Sequence, residues 1–361
     1  MLSIFISTAV AALIYFVLIK PFRYWQDQGV AQYKLKTLWL KTVLGLAPHS
    51  SLLENIQQAY QDFPEQRYCG YYQFLRPALL LRDPDLIKQI TVKDFDHFTD
   101  HNQIIPDDTE LLWEKNLFAL KGDKWREMRS TLSPSFTGSK MKIMFGLISD
   151  CAQRFVQYFE EQGKKTTIVE MKDVFTRFTN DVIATSAFGV TCNSLKDREN
   201  EFYLMGKEMI NFSGFSRILS LLTIFMAPRL SKILKLEFFS KKAINFFRKV
   251  IKENVEVREK NGIVRPDMIY LLMETRKMKN NQANEEEKLT IEDITAQALI
   301  FFVAGFDTVS TFMCFMAYEL AVNVDIQNRL QNEIDKTLEE CEGTLTYDEL
   351  MKIKYMDMVI S

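Results

Sequence analysis

One long apolar segment, residues 291–322, constrains the fold of this chain more than any other feature. Between Thr295 and Tyr318 its single charged side chain is that of Asp307. As a helix the segment would be about 48 Å long, enough to cross a whole domain. Thr290, with Asp293 three residues later, has the pattern of a capped start for this helix. An ionisable group in an apolar wall costs free energy unless it has a partner or a task, so Asp307 is a candidate functional residue.

Helical spacing places four residues around Asp307 on one face: Phe301, Ala304, Gly305 and Thr308. Ala304 and Gly305 form a small notch that lets a flat or bulky group approach the backbone. The Thr308 hydroxyl can bond to the carbonyl one turn earlier and locally loosen the helix.

Three plainer interpretations of this segment compete with a functional one. It is long enough for a second transmembrane helix, although a central Asp is unfavourable there. A helix-packing site of small residues would explain Ala304 and Gly305 but not Asp307 and Thr308. Taken alone, the segment best fits a buried core helix whose Asp is paired.

A second motif lies far upstream, at residues 122–129. It has the pattern of a helix start, with Asp123 as the predicted cap. Trp125 and Arg129 are four residues apart, so an indole N–H donor and a guanidinium group point the same way. This pair suits an anionic carboxylate on a flat, apolar body; the alternative is a surface arginine stacked on an indole.

Together, in this order, the two motifs resemble the cytochrome P450 family, specifically its membrane-bound insect type. Three further stretches agree: LSPSF at 132–136, RPDMI at 265–269 and YMDMVI at 355–360. The resemblance covers nearly the whole chain. It implies a mainly α fold with a small β-sheet near the N-terminus, incomplete at its C-terminal part, behind an N-terminal transmembrane helix. Residues 68–81 alternate and are rich in aromatic side chains, which predicts a short hairpin or edge sheet there.

The resemblance also implies a haem cofactor, an iron protoporphyrin. Trp125 and Arg129 would bond one of its propionates. Ala304 and Gly305 would let the central helix pass close over the iron and leave room for O₂.

Asp307 and Thr308 would then be the acid–alcohol pair that delivers protons to bound oxygen. Phe301, Phe302 and Phe306, with the loop at 99–120, are candidate walls of the substrate pocket. The alternative for these rings is ordinary core packing.

The implied function is a haem-thiolate monooxygenase. It would insert one oxygen atom from O₂ into a lipophilic substrate, either a xenobiotic or an endogenous lipid or hormone. Electrons would come from NADPH through a partner reductase. A basic cluster near the Trp/Arg helix could steer that acidic partner, or could be a solvated helix face: Lys121, Lys124, Arg126, Lys140 and Lys142.

Composition excludes several other classes. The net charge of −2 gives no basic field for nucleic acid. The five cysteines are scattered, odd in number and without a C-x-x-C pair, so neither a disulfide framework nor a zinc site is expected. No metal-ligating residue is assigned within the chain.

Residues 1–19 carry no charge and could span a bilayer. Lys20 and Arg23 follow, which places this flank in the cytosol. We therefore expect a membrane anchor at 1–20, a partial catalytic domain at 21–361, and location at the endoplasmic reticulum membrane with the catalytic domain cytosolic. The rival is a cleaved signal peptide. The apolar, cation-containing stretch 212–239 would be a lid dipping into membrane lipid, or a plain buried loop.

The sequence ends before the Glu-x-x-Arg helix and the haem-cysteine loop of the family. We therefore expect the N-terminal fragment of a full enzyme or a truncated form. One alternative is a catalytically inert, membrane-anchored helical protein that binds haem or lipophiles. Another is a polytopic membrane protein that uses residues 294–317 as a second span.

Overall fold

The computed structural model describes residues 15, 20–33, 52–73, 76–102, 105, 110–163, 166–280 and 289–361. Apart from Tyr15 and Lys20, the predicted anchor at 1–20 lies outside the described residues. The described part is mainly helical with one small two-stranded sheet near its start, which confirms the predicted fold class.

The helices and strands follow one another in chain order. They are α1 (Tyr24–Asp27), α2 (Leu52–Asp62), β1 (Tyr68–Gln73), β2 (Arg76–Leu81), α3 (Pro84–Lys88), α4 (Leu111–Glu114), α5 (Gly122–Leu132), α6 (Gly138–Glu160), α7 (Met171–Ala187), α8 (Glu201–Met209), α9 (Phe215–Met226), α10 (Pro228–Ile233), α11 (Lys241–Asn261), α12 (Met268–Asn280), α13 (Ile291–Phe306), α14 (Thr308–Val322), α15 (Val324–Glu340), α16 (Tyr347–Leu350) and α17 (Lys354–Ile360).

The chain divides into two compact units, residues 1–100 with 222–230 and residues 101–221 with 231–361. In the first unit β1 and β2 pair antiparallel, from Tyr68 opposite Leu81 to Gln73 opposite Arg76. The hairpin predicted at residues 68–81 is confirmed. A short stretch before α2 adds to its edge, because the amide of Tyr33 donates to the carbonyl of Gly70 at 2.9 Å.

Trp25 anchors the first unit under this hairpin. Its side chain is 9% exposed, and its indole N–H donates to the carbonyl of Tyr71 at 3.0 Å. A Cβ on Gly70 would lie 2.4 Å from Cγ of Trp25. Glycine is therefore required at this close approach of ring and strand.

Aromatic rings form the core of the second unit. Phe302 of α13 lies at its centre, with ring centroids 4.7 Å from Phe247 of α11 and 5.8 Å from Phe202 of α8. Phe306 stacks below it at 4.9 Å. The side chains of Phe302 and Phe306 have no exposed surface, so this face of α13 forms part of the protein core.

Two predicted features of helix starts have different outcomes. Thr290 caps α13 through the reciprocal bonds with Asp293 that its sequence predicted. The prediction that Asp123 caps α5 is wrong, because the helix begins at Gly122 and the capping position is Lys121. Asp123 instead lies in the first turn, where a carboxylate is favoured by the helix dipole.

Among the described residues, one stretch is long and apolar enough to cross a membrane, residues 291–322. It is not one continuous helix, because Asp307 separates α13 from α14. In α13 the side chains of Ile294, Leu299 and Phe302 are at most 2% exposed. Protein atoms thus cover one face of α13, as in the core-helix interpretation.

Candidate functional site

The break between α13 and α14 is the centre of the candidate site. Asp307 occupies it with φ −99° and ψ −38°. The Thr308 hydroxyl donates to the carbonyl of Ala304 one turn earlier, as the helical spacing predicted. The last carbonyls of a helix lack intrahelical donors and need other partners.

Side-chain hydroxyl groups supply those partners. Thr179 of α7 donates to the carbonyl of Phe306 at 2.8 Å. Ser310 of α14 donates to the carbonyl of Asp307 at 2.9 Å. The break is thus stabilised by a hydroxyl group of the neighbouring helix α7 and by one of α14 itself.

The partner of Asp307 is Lys172, at the start of α7. The Lys172 ammonium lies 2.7 Å from Oδ1 of Asp307. The two side chains are 40% and 47% exposed, so the ion pair is open to water. The sequence predicted that Asp307 needs a partner, but Lys172 lies 135 residues away and no local pattern pointed to it.

The small residues beside the break differ in what surrounds them. Ala304 and Thr308 are exposed, while Gly305 is half-buried. A Cβ on Gly305 would lie 3.0 Å from Cδ1 of Ile183 on α7. The missing side chain at Gly305 therefore serves helix packing, and Ala304 provides the open part of the notch.

The three candidate substrate residues divide between two faces of α13. Phe302 and Phe306 belong to the aromatic core described above. Phe301 is half-buried and meets the ring of Phe136 at 5.4 Å, edge to face. Of the three, Phe301 alone lies outside the fully buried core.

Phe136 connects the two motifs that the sequence singled out, because it ends the single turn directly after α5. Near the other end of α13, Met128 and Leu132 of α5 line one small cavity together with Ile294 and Gln297 of α13. The Trp/Arg helix and the central helix therefore lie on either side of this cavity.

The two motif side chains of α5 differ in exposure. Trp125 is half-buried and Arg129 is exposed. Within the described residues, no carboxylate lies in ion-pair distance of the Arg129 guanidinium. An exposed guanidinium without an internal ion pair can bind an external anion without first breaking such a pair.

Gln297 is a positioning residue that the sequence gave no reason to select. Its amide oxygen accepts from the backbone N–H of Leu117 at 2.9 Å, and its amide nitrogen donates to the carbonyl of Lys115 at 2.8 Å. The side chain is 1% exposed. It fixes the segment just before α5 to the central helix.

An ion pair supports the same connection: Lys115 lies 3.0 Å from Asp293. Burial raises the pKa of the Asp293 carboxyl, but hydrogen bonds from Thr290 and Lys115 outweigh it and hold the pKa below its usual range. Asp293 therefore stays ionised near neutral pH, and the pair persists.

Cys151 and Cys192 are buried thiols. Burial raises the pKa of Cys151 to about 11 and that of Cys192 to about 12. Metal ligation needs a thiolate, which these environments disfavour. Over the part of the chain that the structure describes, no group of three or more His, Cys, Asp or Glu side chains could hold a metal ion.

Comparison with known proteins gives a family. A family model described as cytochrome P450 matches residues 36–361. Cytochrome P450 9e2 of Blattella germanica is 47% identical over 336 residues, which are 86% of this chain and 63% of that protein. Probable cytochromes P450 9f2 and 9h1 of Drosophila melanogaster are 38% and 36% identical, over 94% and 100% of this chain and 68% and 72% of their own lengths.

The chain thus spans between 63% and 72% of the length of these relatives. The family model covers nearly all of the described residues, including both motifs and the break between α13 and α14. Identity above 30% over most of the chain agrees with that match. The chain belongs to the cytochrome P450 family.

Proposed function

We propose that this chain is the N-terminal part of a haem-thiolate monooxygenase that inserts one oxygen atom from O₂ into a lipophilic substrate. The observation that carries the proposal is the arrangement at the break. An acid and an alcohol, Asp307 and Thr308, directly follow α13, which lines a small cavity together with the helix bearing Trp125 and Arg129. Family membership supplies the class of reaction.

The residues present fit a haem in two respects. Ala304 and Thr308 offer an exposed surface without bulky side chains on the central helix. Arg129 offers an exposed guanidinium for a propionate, with the Trp125 indole one turn before it. When bound, the haem would supply the activation of O₂. The thiolate ligand of the family is assigned to none of the five cysteines described.

Asp307 and Thr308 would handle the protons of the reaction. The Thr308 hydroxyl hydrogen is directed to the Ala304 carbonyl, which leaves the hydroxyl oxygen free to accept a hydrogen bond. Asp307 is half-exposed beside the Lys172 ammonium, so it can exchange protons with water. A hydroxyl near the reacting oxygen and a carboxylate in contact with solvent together form a proton path.

Phe301, half-buried and edge-to-face with Phe136, is the candidate substrate contact that we retain.

We assign electron supply to NADPH through a partner reductase. Part of the basic cluster is already neutralised, since Lys142 pairs with Asp348. Lys121 and Lys124 are exposed beside and on α5 and are the better candidates for steering an acidic partner.

Location at the endoplasmic reticulum membrane is also part of the proposal. Several apolar side chains around α9 and α10 are well exposed, among them Phe215 at 85% and Ile233 at 76%. Arg217 and Lys232 are interspersed with them. Exposed apolar residues mixed with cations are typical of a segment at a lipid surface.

The test uses the full-length protein expressed in microsomes with an NADPH-dependent reductase. We expect bound haem, seen by absorbance, and product formation from a lipophilic substrate. Arg129→Leu should lower haem content several-fold, whereas Arg67→Leu, at an exposed arginine of the first unit, should not. Thr308→Ala should keep the haem but lower the product formed per NADPH. Full-length protein that purifies without haem would refute the proposal.

A further inference from the structure

A polar stripe runs along α7 and faces the break in the central segment. Its members are Lys172, Thr176 and Thr179, spaced four and three residues apart, so they share one face of the helix. Thr176 and Thr179 are 7% and 4% exposed. Buried hydroxyl groups on a packing face need hydrogen-bond partners, and here each of the two hydroxyls has a partner at the break.

Each member of the stripe bonds to a different part of the break. Thr179 donates to the last carbonyl of α13, that of Phe306, at 2.8 Å. Thr176 donates to the Ser310 hydroxyl in the first turn of α14 at 3.2 Å. The stripe therefore holds the end of one helix and the beginning of the next.

Lys172 makes the densest set of contacts. Its ammonium lies 2.7 Å from the Asp307 carboxylate, 3.2 Å from the Asp307 carbonyl, 2.8 Å from the Ser310 hydroxyl and 2.6 Å from the Thr311 hydroxyl. Four oxygens surround three N–H donors. Such a site fixes the ammonium to the residue at the break and to the first turn of α14, which an ordinary surface ion pair does not.

We propose that this stripe, rather than the sequence of the central segment alone, sets the break at Asp307, and that Lys172 is the positioning residue for the Asp307 carboxylate. Ile183, one further turn along α7, supports the same face by filling the space above Gly305. α7 thereby fixes where the acid lies relative to the Thr308 hydroxyl.

The positioning role rests on the function proposed above, whereas the role in the break does not. The two parts therefore have separate measurements. Hydrogen–deuterium exchange across residues 304–312 reports on the break whether or not the protein turns over. Product formed per NADPH reports on the placement of the carboxylate.

The variants are Lys172→Met, Lys172→Arg and Thr179→Val in the full-length protein. The matched control is Lys196→Met, which removes a lysine of similar exposure that pairs with Glu161 in the same unit. We expect exchange across 304–312 to rise roughly three- to tenfold in Thr179→Val, which is the effect of one lost hydrogen bond on local opening. In Lys172→Met, which loses several bonds, it should rise at least as much. Lys196→Met should leave exchange there unchanged.

In the reductase assay, Lys172→Met should lower product per NADPH several-fold at unchanged haem content, and Lys172→Arg should restore most of it because the cation is kept. Unchanged exchange in both Lys172→Met and Thr179→Val would overturn the role of the stripe. Increased exchange with unchanged product per NADPH would overturn the positioning role. A wild-type protein that binds no haem would refute the proposed function, and the exchange measurement would still decide the role of the stripe.

Discussion

The substitution Asp267→Ala tests the most deeply buried ion pair of the second unit. Asp267 accepts two parallel hydrogen bonds from the Arg258 guanidinium, each 2.7 Å long. The two side chains are 0% and 5% exposed. Asp267 also caps α12, because its carboxylate accepts from the backbone N–H of Tyr270 at 3.0 Å.

The expected cost follows from these two roles. Removing one member of a buried pair leaves an uncompensated charge and costs about 3–5 kcal/mol. Losing a helix cap costs about 1 kcal/mol more. Since whole domains are stable by about 5–15 kcal/mol, Asp267→Ala should remove a large share of the stability of this unit.

Urea unfolding followed by far-UV circular dichroism measures the effect. With an m-value of about 3 kcal/mol/M, the midpoint should fall by roughly 1.5 M. The control Glu161→Ala breaks a half-exposed pair with Lys196 and should cost under about 1 kcal/mol. The double variant Arg258→Met, Asp267→Leu should lose less than Asp267→Ala, because the buried Arg258 charge is removed with its partner. Arg265, which also pairs with Asp267 at 3.4 Å, is 25% exposed and keeps its bonds to Gly189 and Thr185.

The reasoning fails if Asp267→Ala shifts the midpoint no further than Glu161→Ala does. It also fails if the double variant is the least stable of the three. In the first case the buried pair contributes no more than a surface pair. In the second, packing around Arg258 outweighs its charge.

Two further predictions concern the second unit. Gln297→Leu leaves the Leu117 amide and the Lys115 carbonyl without their partner and should cost about 2–4 kcal/mol; an unchanged melting temperature and unchanged proteolysis of residues 110–121 would contradict this. Burial raises the pKa of Asp173, but hydrogen bonds from Arg177 and Arg198 outweigh it and lower the pKa below its usual value. Because the folded-state pKa is depressed, its stabilising effect is present above about pH 4 and is lost as the pH falls further. In Asp173→Asn, the free energy of unfolding should therefore change less with pH below about pH 4 than in the wild type. Equal pH dependence in the two proteins would contradict this prediction.

Local sequence patterns predicted the local parts of this structure. The Thr290 cap, the hairpin at 68–81 and the bond from Thr308 to the Ala304 carbonyl each involve residues close in sequence. Their geometry follows from helix periodicity and turn chemistry, without knowledge of neighbouring elements. The family resemblance, which rests on several motifs together, predicted the fold class.

The parts that the sequence did not predict depend on distant neighbours. Phe301 and Phe302 are adjacent and chemically identical, yet one meets Phe136 while the other is buried at the centre of an aromatic core. Which of the two rings is buried depends on how α8 and α11 pack against α13. Gln297 in turn binds a backbone segment 180 residues earlier, a choice that no local pattern can encode.

The break at Asp307 shows how local and distant terms combine. Thr308 can loosen the helix, but a threonine in a helix usually bonds back to a carbonyl without ending it. The additional donors from α7 lower the free energy of the open arrangement, since they bond to carbonyls and hydroxyls on both sides of it. Without the α7 donors, the broken arrangement of the same central segment would have a higher free energy. The position of the acid is therefore a property of two helices, and substitutions on α7 should change the chemistry at Thr308 without touching the central segment.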